Sequence, residues 1–456
     1  MVLKKTLIFF ILVALHVCGY AQTSVKPNNS KIKFTGSLFN RINENRVVFF
    51  RHSDTFYALS DKTAMASDSK AKTNTGVSII FRTDATDVGV HFRMLSGANA
   101  WKIPVSYYVD GDSIASVFVK RNDLTNANDS TFTFNLNSTG GGEHTYRVVM
   151  STFCTVGFEG LTLAGGSESL VEPEMAKKPL YVAYGNSITH GRGQELGDQT
   201  YPWILAEKMG WQLCNIAVGG SRVSVPMAEM VADEITEKID FMTILIGYND
   251  MVGASKDTTY YRGKLIAFID TVRKGHPETK IFVLGQTYTE KTENGKGESL
   301  NFDNVRKVQK YIVDSLKSKG DTKIHFIKTD TWTGHDQLNN PPTDVVHLNK
   351  QGAYMVGVAL ADTITRILKH ETAIFKHRIE TTSISVYPNP AVNEFTVLSK
   401  RGELGIIEIY NIAGERVYLN KTVSKGCKSI NIKIGDLPQG TYILKTKSGI
   451  KKILKI

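Results

Sequence analysis

Cysteine is scarce: the 456 residues hold four, at positions 18, 154, 214 and 427. An odd number beyond the leader, far apart in sequence, supports neither a disulfide framework nor a metal site. Cys154, Cys214 and Cys427 are each read as a small buried side chain. Long apolar runs are also lacking. The run Leu7–Leu15 is shorter than the roughly 20 residues a membrane-spanning helix needs. Lys4 and Lys5 precede it and Gly19-Tyr20-Ala21 follows, which predicts a signal peptide over residues 1–21 with cleavage before Gln22. A lipoprotein signal ending at Cys18 is the weaker reading, because His16 and bulky Val17 fit it poorly. No transmembrane segment is expected in the mature protein.

A concentration of one charge sign is missing from the body as well. Of the net charge of +11, +2 lies in the leader and +7 lies from Ser385 onward, which leaves +2 for everything between. That excludes the basic stripe that would track a phosphate backbone, so no nucleic-acid partner is expected. Hydrophobic content of 41% and charged content of 22% are those of an ordinary globular protein.

The chain is long enough for several domains. Residues 30–168 read as an all-β sandwich of jelly-roll type. Short strands rich in β-branched and aromatic residues (Val77–Phe81, Val88–Met94, Val105–Val109, Ser116–Lys120, Thr131–Leu136, Thr145–Ser151) alternate with turns such as Asp110-Gly111-Asp112 and Gly140-Gly141-Gly142. Residues 178–370 change texture. Apolar strands at Leu180–Tyr184, Gln212–Val218, Phe241–Ile246, Lys280–Leu284 and Ile324–Ile327 alternate with amphipathic helices at Tyr201–Met209, Ala228–Lys238, Tyr260–Lys274, Phe302–Lys317 and Gly352–Leu368. This predicts a flavodoxin-like three-layer α/β domain with a parallel sheet. A polar linker is expected over 371–384, and a small C-terminal β-sandwich over 385–456.

In doubly wound sheets, ligands sit beyond the carboxyl ends of the strands. Four unusual clusters fall there: Gly185-Asn186-Ser187, Asn215 to Ser221, Gly247-Tyr248-Asn249-Asp250, and Asp344-Val345-Val346-His347. Together they meet the needs of acyl transfer. Ser187, in a tight turn, is the candidate nucleophile and His347 the candidate base. Asp344 lies three residues earlier, a spacing that makes neighbours on a helical turn. It is expected to accept the second imidazole N–H. The backbone N–H groups of Ser187 and Gly220 and the amide of Asn249 are the candidate oxyanion donors. His190 is closer in sequence to Ser187 but has no carboxylate at useful spacing, so it is read as structural or pocket-lining. Asp198 and Asp250 are read as helix caps. The His335-Asp336 pair is set aside as a metal site, because adjacent residues point apart and no third ligand stands out. Trp203 and Trp211 are read as packing residues. Trp101, Tyr107 and Tyr108 suit sugar stacking but more simply fill the sandwich core.

The four blocks resemble, in order, those of SGNH (GDSL-like) hydrolases, over roughly Leu180 to Leu368. The resemblance implies a serine esterase with Ser187, Asp344 and His347 as catalytic residues, Gly220 and Asn249 in the oxyanion hole, and no cofactor or metal. Two positions depart from the family pattern: Asn186 stands where Asp is usual, and Ala217 where Gly is usual. A β-rich segment in front of such a domain is similar to the arrangement in carbohydrate esterase family 2, which implies an acylated, acetyl-bearing carbohydrate substrate. Tyr387-Pro388-Asn389-Pro390, Tyr410-Asn411-Ile412-Ala413-Gly414 and Leu437-Pro438-Gln439-Gly440-Thr441-Tyr442 resemble the sorting domain of type IX secretion. That implies a secreted or cell-surface protein whose C-terminal segment meets the secretion machinery. Two competing functions are a lipid or aryl-ester acylhydrolase and a non-catalytic secreted glycan-binding protein.

Overall fold

The computed structural model of the chain describes residues 22–59, 68–97, 102–120, 129–137, 141–253, 258–293, 300–380, 384–399, 403–412, 414–420 and 426–456. The expected signal peptide, Trp101, Gly140 and Ala413 lie outside them. The chain divides into two units between Ala361 and Asp362. The mixed α/β fold, the parallel sheet, the β-rich front segment and the β-rich tail agree with the sequence reading.

Two six-stranded antiparallel sheets make up the front segment. One is centred on Val156–Ala164 and Asp87–Met94, the other on His144–Met150, flanked by Ser78–Thr83 and Lys102–Val109. Along Thr131–Asn137, Phe132, Phe134 and Leu136 alternate inward with exposed neighbours, the period-2 signature of a one-sided strand. Buried side chains of both sheets, among them Phe81, Phe92, Tyr146 and Phe158, form a single core. The central strand Val156–Ala164 escaped the sequence reading because Gly157 and Gly160 look like turn residues. Gly160 instead occupies a β-bulge at φ +117°, where any Cβ would lie 2.3 Å from the Val25 carbonyl oxygen.

The parallel sheet holds β1 (Leu180–Gly185), β2 (Gln212–Asn215), β3 (Ile239–Leu245), β4 (Lys280–Leu284) and β5 (Ile324–Ile327) in the order 2-1-3-4-5. The switch point, and with it the ligand crevice, therefore falls beyond the carboxyl ends of β1 and β3. Helices α1 (Ser187–His190), α2 (Tyr201–Met209), α3 (Val225–Glu234), α4 (Tyr248–Gly253), α5 (Thr258–Gly275) and α6 (Phe302–Ser318) connect the strands. A hairpin of β6 (Leu338–Asn340) and β7 (Asp344–Leu348) then leads into α7 (Lys350–Glu380). The stretch expected as a linker from residue 371 is thus helical as far as Glu380. Val182, Ile244 and Val283 of the sheet and Phe268 and Ile312 of the helices share one core. Phe56 and Ala71 of the front segment join that same core, so that segment packs on the parallel sheet through these residues.

Beyond Asp362, three-stranded and four-stranded antiparallel sheets enclose Phe395, Val397, Ile409, Ile432 and Leu444. Among the described residues, no helix is long and apolar enough to cross a membrane.

Candidate active site

Ser187 opens α1 where β1 turns sharply. Gly185 is obligatory before it: a Cβ there would meet Thr189 Oγ1 at 2.1 Å and the Leu245 carbonyl oxygen at 2.7 Å. Asn186, in the place of the expected acid, caps α1 by accepting the Ile188 N–H at 3.1 Å. Its buried amide nitrogen has no partner among the described residues. Gly191 ends the turn at φ +105°, a conformation that suits glycine.

Ser187 Oγ lies 2.7 Å from His347 Nε2. On the other side of the ring, His347 Nδ1 lies 2.9 Å from both carboxylate oxygens of Asp344. The sequence reading placed Asp344 and His347 on a helical turn; they lie instead on strand β7. The Asp344 carboxylate brings them together by accepting the backbone N–H groups of Val346 at 3.3 Å and His347 at 3.1 Å. Asn339, which carried no recognisable signal in the sequence, donates to Asp344 Oδ2 from β6 at 3.1 Å.

Burial is the largest influence on His347 and pushes its pKa below the usual histidine value. The Asp344 charge and hydrogen bond oppose that shift, while the positive charges of Arg192 and Lys70 add to it. Burial by itself would raise Asp344, yet the His347 charge, its backbone N–H and the Asn339 amide together hold the carboxyl below its ordinary value. The arrangement therefore keeps a neutral imidazole facing the Ser187 hydroxyl at neutral pH, with an ionised carboxylate behind it.

The three candidate oxyanion donors differ in how far they are already engaged. In the loop after β2, the Ile216 N–H donates to the Ala183 carbonyl, Ala217 to Asn215 Oδ1, Val218 to the Gly185 carbonyl, Gly219 to His190 Nδ1 and Ser221 to the Val218 carbonyl. The Gly220 N–H alone in this run has no partner among the described residues. The Ser187 N–H, at the first helical position, is likewise unengaged among them. Asn249 Nδ2 donates one hydrogen to the Ser221 carbonyl at 2.9 Å, which fixes the amide and leaves its second hydrogen available.

The other residues singled out in the sequence take structural places. His190 is fully buried; its Nδ1 accepts the Gly219 N–H at 3.0 Å and its Nε2 faces Thr73 Oγ1 at 2.8 Å. Asp250 lies in the first turn of α4, and its Oδ1 accepts the Val223 N–H at 3.2 Å. Asp198 caps no helix. It accepts the Tyr108 hydroxyl at 2.8 Å, while Tyr107 is buried. Trp203 and Trp211 are buried. His335 pairs with Glu290 at 2.8 Å.

Residues 183–354 match the sequence model of the GDSL-like lipase/acylhydrolase family, and residues 385–456 match that of the secretion system C-terminal sorting domain. The first match spans all four blocks of the site. No curated protein matches the chain. Among solved structures, the fold is similar to a salicylyl-acyltransferase, SsfX3, from a tetracycline biosynthetic pathway (TM-score 0.65, 18% identity, 76% of this chain and 97% of that one). It is also similar to a GDSL-like lipase from Bacteroides ovatus (0.60, 19%, 76% and 98%) and to a family two carbohydrate esterase from Cellvibrio japonicus (0.56, 13%, 76% and 98%). Each likeness extends over the front β-rich segment as well as the parallel sheet, so the two-part architecture is shared as a fold.

Proposed function

We propose that the protein is an exported serine esterase that removes acyl groups, acetyl above all, from carbohydrate through an acyl-enzyme. The observation that carries this reading is the Ser187–His347–Asp344 chain of hydrogen bonds, at 2.7 and 2.9 Å, together with two backbone N–H groups, of Ser187 and Gly220, unengaged among the described residues, and an Asn249 amide with one hydrogen to spare. His347 Nε2 takes the Ser187 hydroxyl proton as Oγ bonds to the ester carbonyl carbon. Negative charge then develops on the carbonyl oxygen, within reach of the Ser187 and Gly220 N–H groups and the Asn249 amide. Collapse breaks the carbon–oxygen bond to the sugar, and the leaving oxygen receives the proton from His347. Water repeats the sequence on the acyl-Ser187 ester, with His347 again as base, and releases the carboxylic acid. The imidazolium formed in each half donates Nδ1–H to Asp344, whose depressed pKa keeps it charged. Carbohydrate as substrate rests on the family two carbohydrate esterases among the structural relatives. Export by the type IX route, after removal of a signal peptide over 1–21, rests on the C-terminal sorting domain and the leader's charge and apolar pattern.

The test incubates the protein and its Ser187→Ala variant with acetylated polysaccharides and with p-nitrophenyl esters of increasing chain length. Acetate release that falls by about 10⁶-fold in the variant is expected, with short acyl chains preferred. Preference for long chains would replace the carbohydrate reading with a lipase. Equal release by both proteins would remove the serine mechanism.

A further inference from the structure

The loop after β2 is held from the front β-rich segment. Arg51 belongs to that segment, has no solvent-exposed surface, and makes no ion pair with a carboxylate among the described residues. Its Nη1 donates to the carbonyls of Asn215 at 2.5 Å and Ala217 at 2.9 Å. The remaining donors tie back to the front segment: Nε to the Thr73 carbonyl at 2.7 Å, and Nη2 to the Lys70 and Ala71 carbonyls and Thr73 Oγ1 at 3.1–3.3 Å. The next residue, His52, sets its Nε2 2.9 Å from the Ile216 carbonyl, which can only accept. Burial draws the Arg51 pKa down to about 10, so it stays protonated at neutral pH, and draws that of His52 to about 3, so it stays neutral.

A buried guanidinium without a carboxylate is costly, and here five carbonyl dipoles and a hydroxyl take the place of the counter-charge. Two of those carbonyls lie in the stretch that leads to Gly220. β2 is the edge strand of the sheet, and the sequence pattern had extended it to Val218. It stops at Asn215 because the next carbonyls go to Arg51 and His52 in place of a strand partner. His190, itself bonded to Thr73, then takes the Gly219 N–H. The result is a loop in which, among the described residues, every N–H from Ile216 to Ser221 except that of Gly220 has a partner.

We propose that Arg51 is a positioning residue for the esterase reaction: with His52 it fixes the Asn215–Gly220 loop from the front domain, so that the Gly220 N–H is held toward the developing oxyanion. The inference rests on the assignment of Ser187 and Gly220 above. It gives the β-rich front domain a part in building the catalytic site, separate from any contact with substrate.

The full chain is compared with its Arg51→Lys, Arg51→Met and His52→Phe variants. Active sites are counted by titration with a fluorophosphonate, so that kcat refers to folded, competent molecules only. A loop misplaced by about 1 Å should lower kcat per site on the order of 10²-fold with KM little changed. His52→Phe, which keeps the ring stack on Phe56 at 5.2 Å, should move kcat the same way by less. Hydrogen exchange read by mass spectrometry should show faster exchange at residues 216–219 in each variant. Should the Arg51 variants fail to fold, His52→Phe carries the test. Unchanged kcat per site and unchanged exchange in a folded variant would overturn the inference. Wild-type protein without Ser187-dependent hydrolysis would instead remove the function assigned above, and the exchange measurement would still decide whether Arg51 and His52 hold the loop.

Discussion

Burial more than charge governs the ionisation of His347. Burial, reinforced by Arg192 and Lys70, outweighs the Asp344 carboxylate and sets its pKa below 6.5. A base must be neutral to accept the Ser187 proton, so kcat/KM should rise through a single ionisation below pH 6.5 and be level from pH 7 to 8. Arg192→Gln removes a charge that disfavours the imidazolium and should move this acid limb to higher pH; an unmoved limb would separate Arg192 from the site. Asp250 shows the opposite coupling. Burial, opposed by the Val223 N–H, raises its pKa from 3.8 to about 6, and one of its carboxylate oxygens is buried with no partner among the described residues. The folded state therefore holds this proton more tightly than the unfolded chain. The stability tied to the neutral acid is complete below pH 3.8 and is lost as pH rises through about 6. Asp250→Asn should accordingly raise Tm at pH 8 and bring no advantage at pH 3.5, as thermal melts at the two pH values will show.

Short connections carry the site, and their glycines set the limits. Gly247, at φ +126°, lets β3 pass into α4 under the Tyr261 ring, where a Cβ would lie 2.9 Å from the ring carbon bearing the hydroxyl. Gly247→Ala should lower Tm and also kcat, because Asn249 sits two residues further along; a melt and an ester assay read both. Much of this scale was legible in the sequence. β4, β5 and α2 fall on the residues that periodicity assigned, because doubly buried strands and a Thr200-led helix ending at Gly210 leave plain patterns. Three of the four site blocks were legible for a related reason, since glycines at strand ends are unusual outside tight turns, and the fourth through the spacing of Asp344 and His347. Local pattern could not reveal relations between distant segments. Nothing around Arg51 marks a residue that bonds to a loop more than 160 positions away. The Asp344–His347 pairing was legible, but its backbone was misread, because an i, i+3 spacing looks the same in sequence whether a helical turn or a carboxylate that accepts the next N–H groups brings the two together.

At the scale of the whole molecule, the units meeting at Ala361 and Asp362 have separate cores. The sorting domain supplies most of the chain's net charge, +7 of +11 from Ser385 onward. A chain ending at Glu380 should therefore keep the kcat and KM of the full protein on a soluble ester while losing most of its net charge. A large fall in kcat would show that the C-terminal unit contributes to the site. The front β-rich segment should behave differently, since Phe56 and Ala71 share the core of the parallel sheet and Arg51 bonds to the carbonyls of Asn215 and Ala217. The central claim is that Ser187 is a nucleophile activated by His347. The most direct measurement is reaction with a fluorophosphonate, followed by peptide mass mapping. One adduct per chain, on Ser187 and formed far more slowly in His347→Ala, is the predicted result; an unlabelled Ser187, or an adduct confined to another residue, would contradict it.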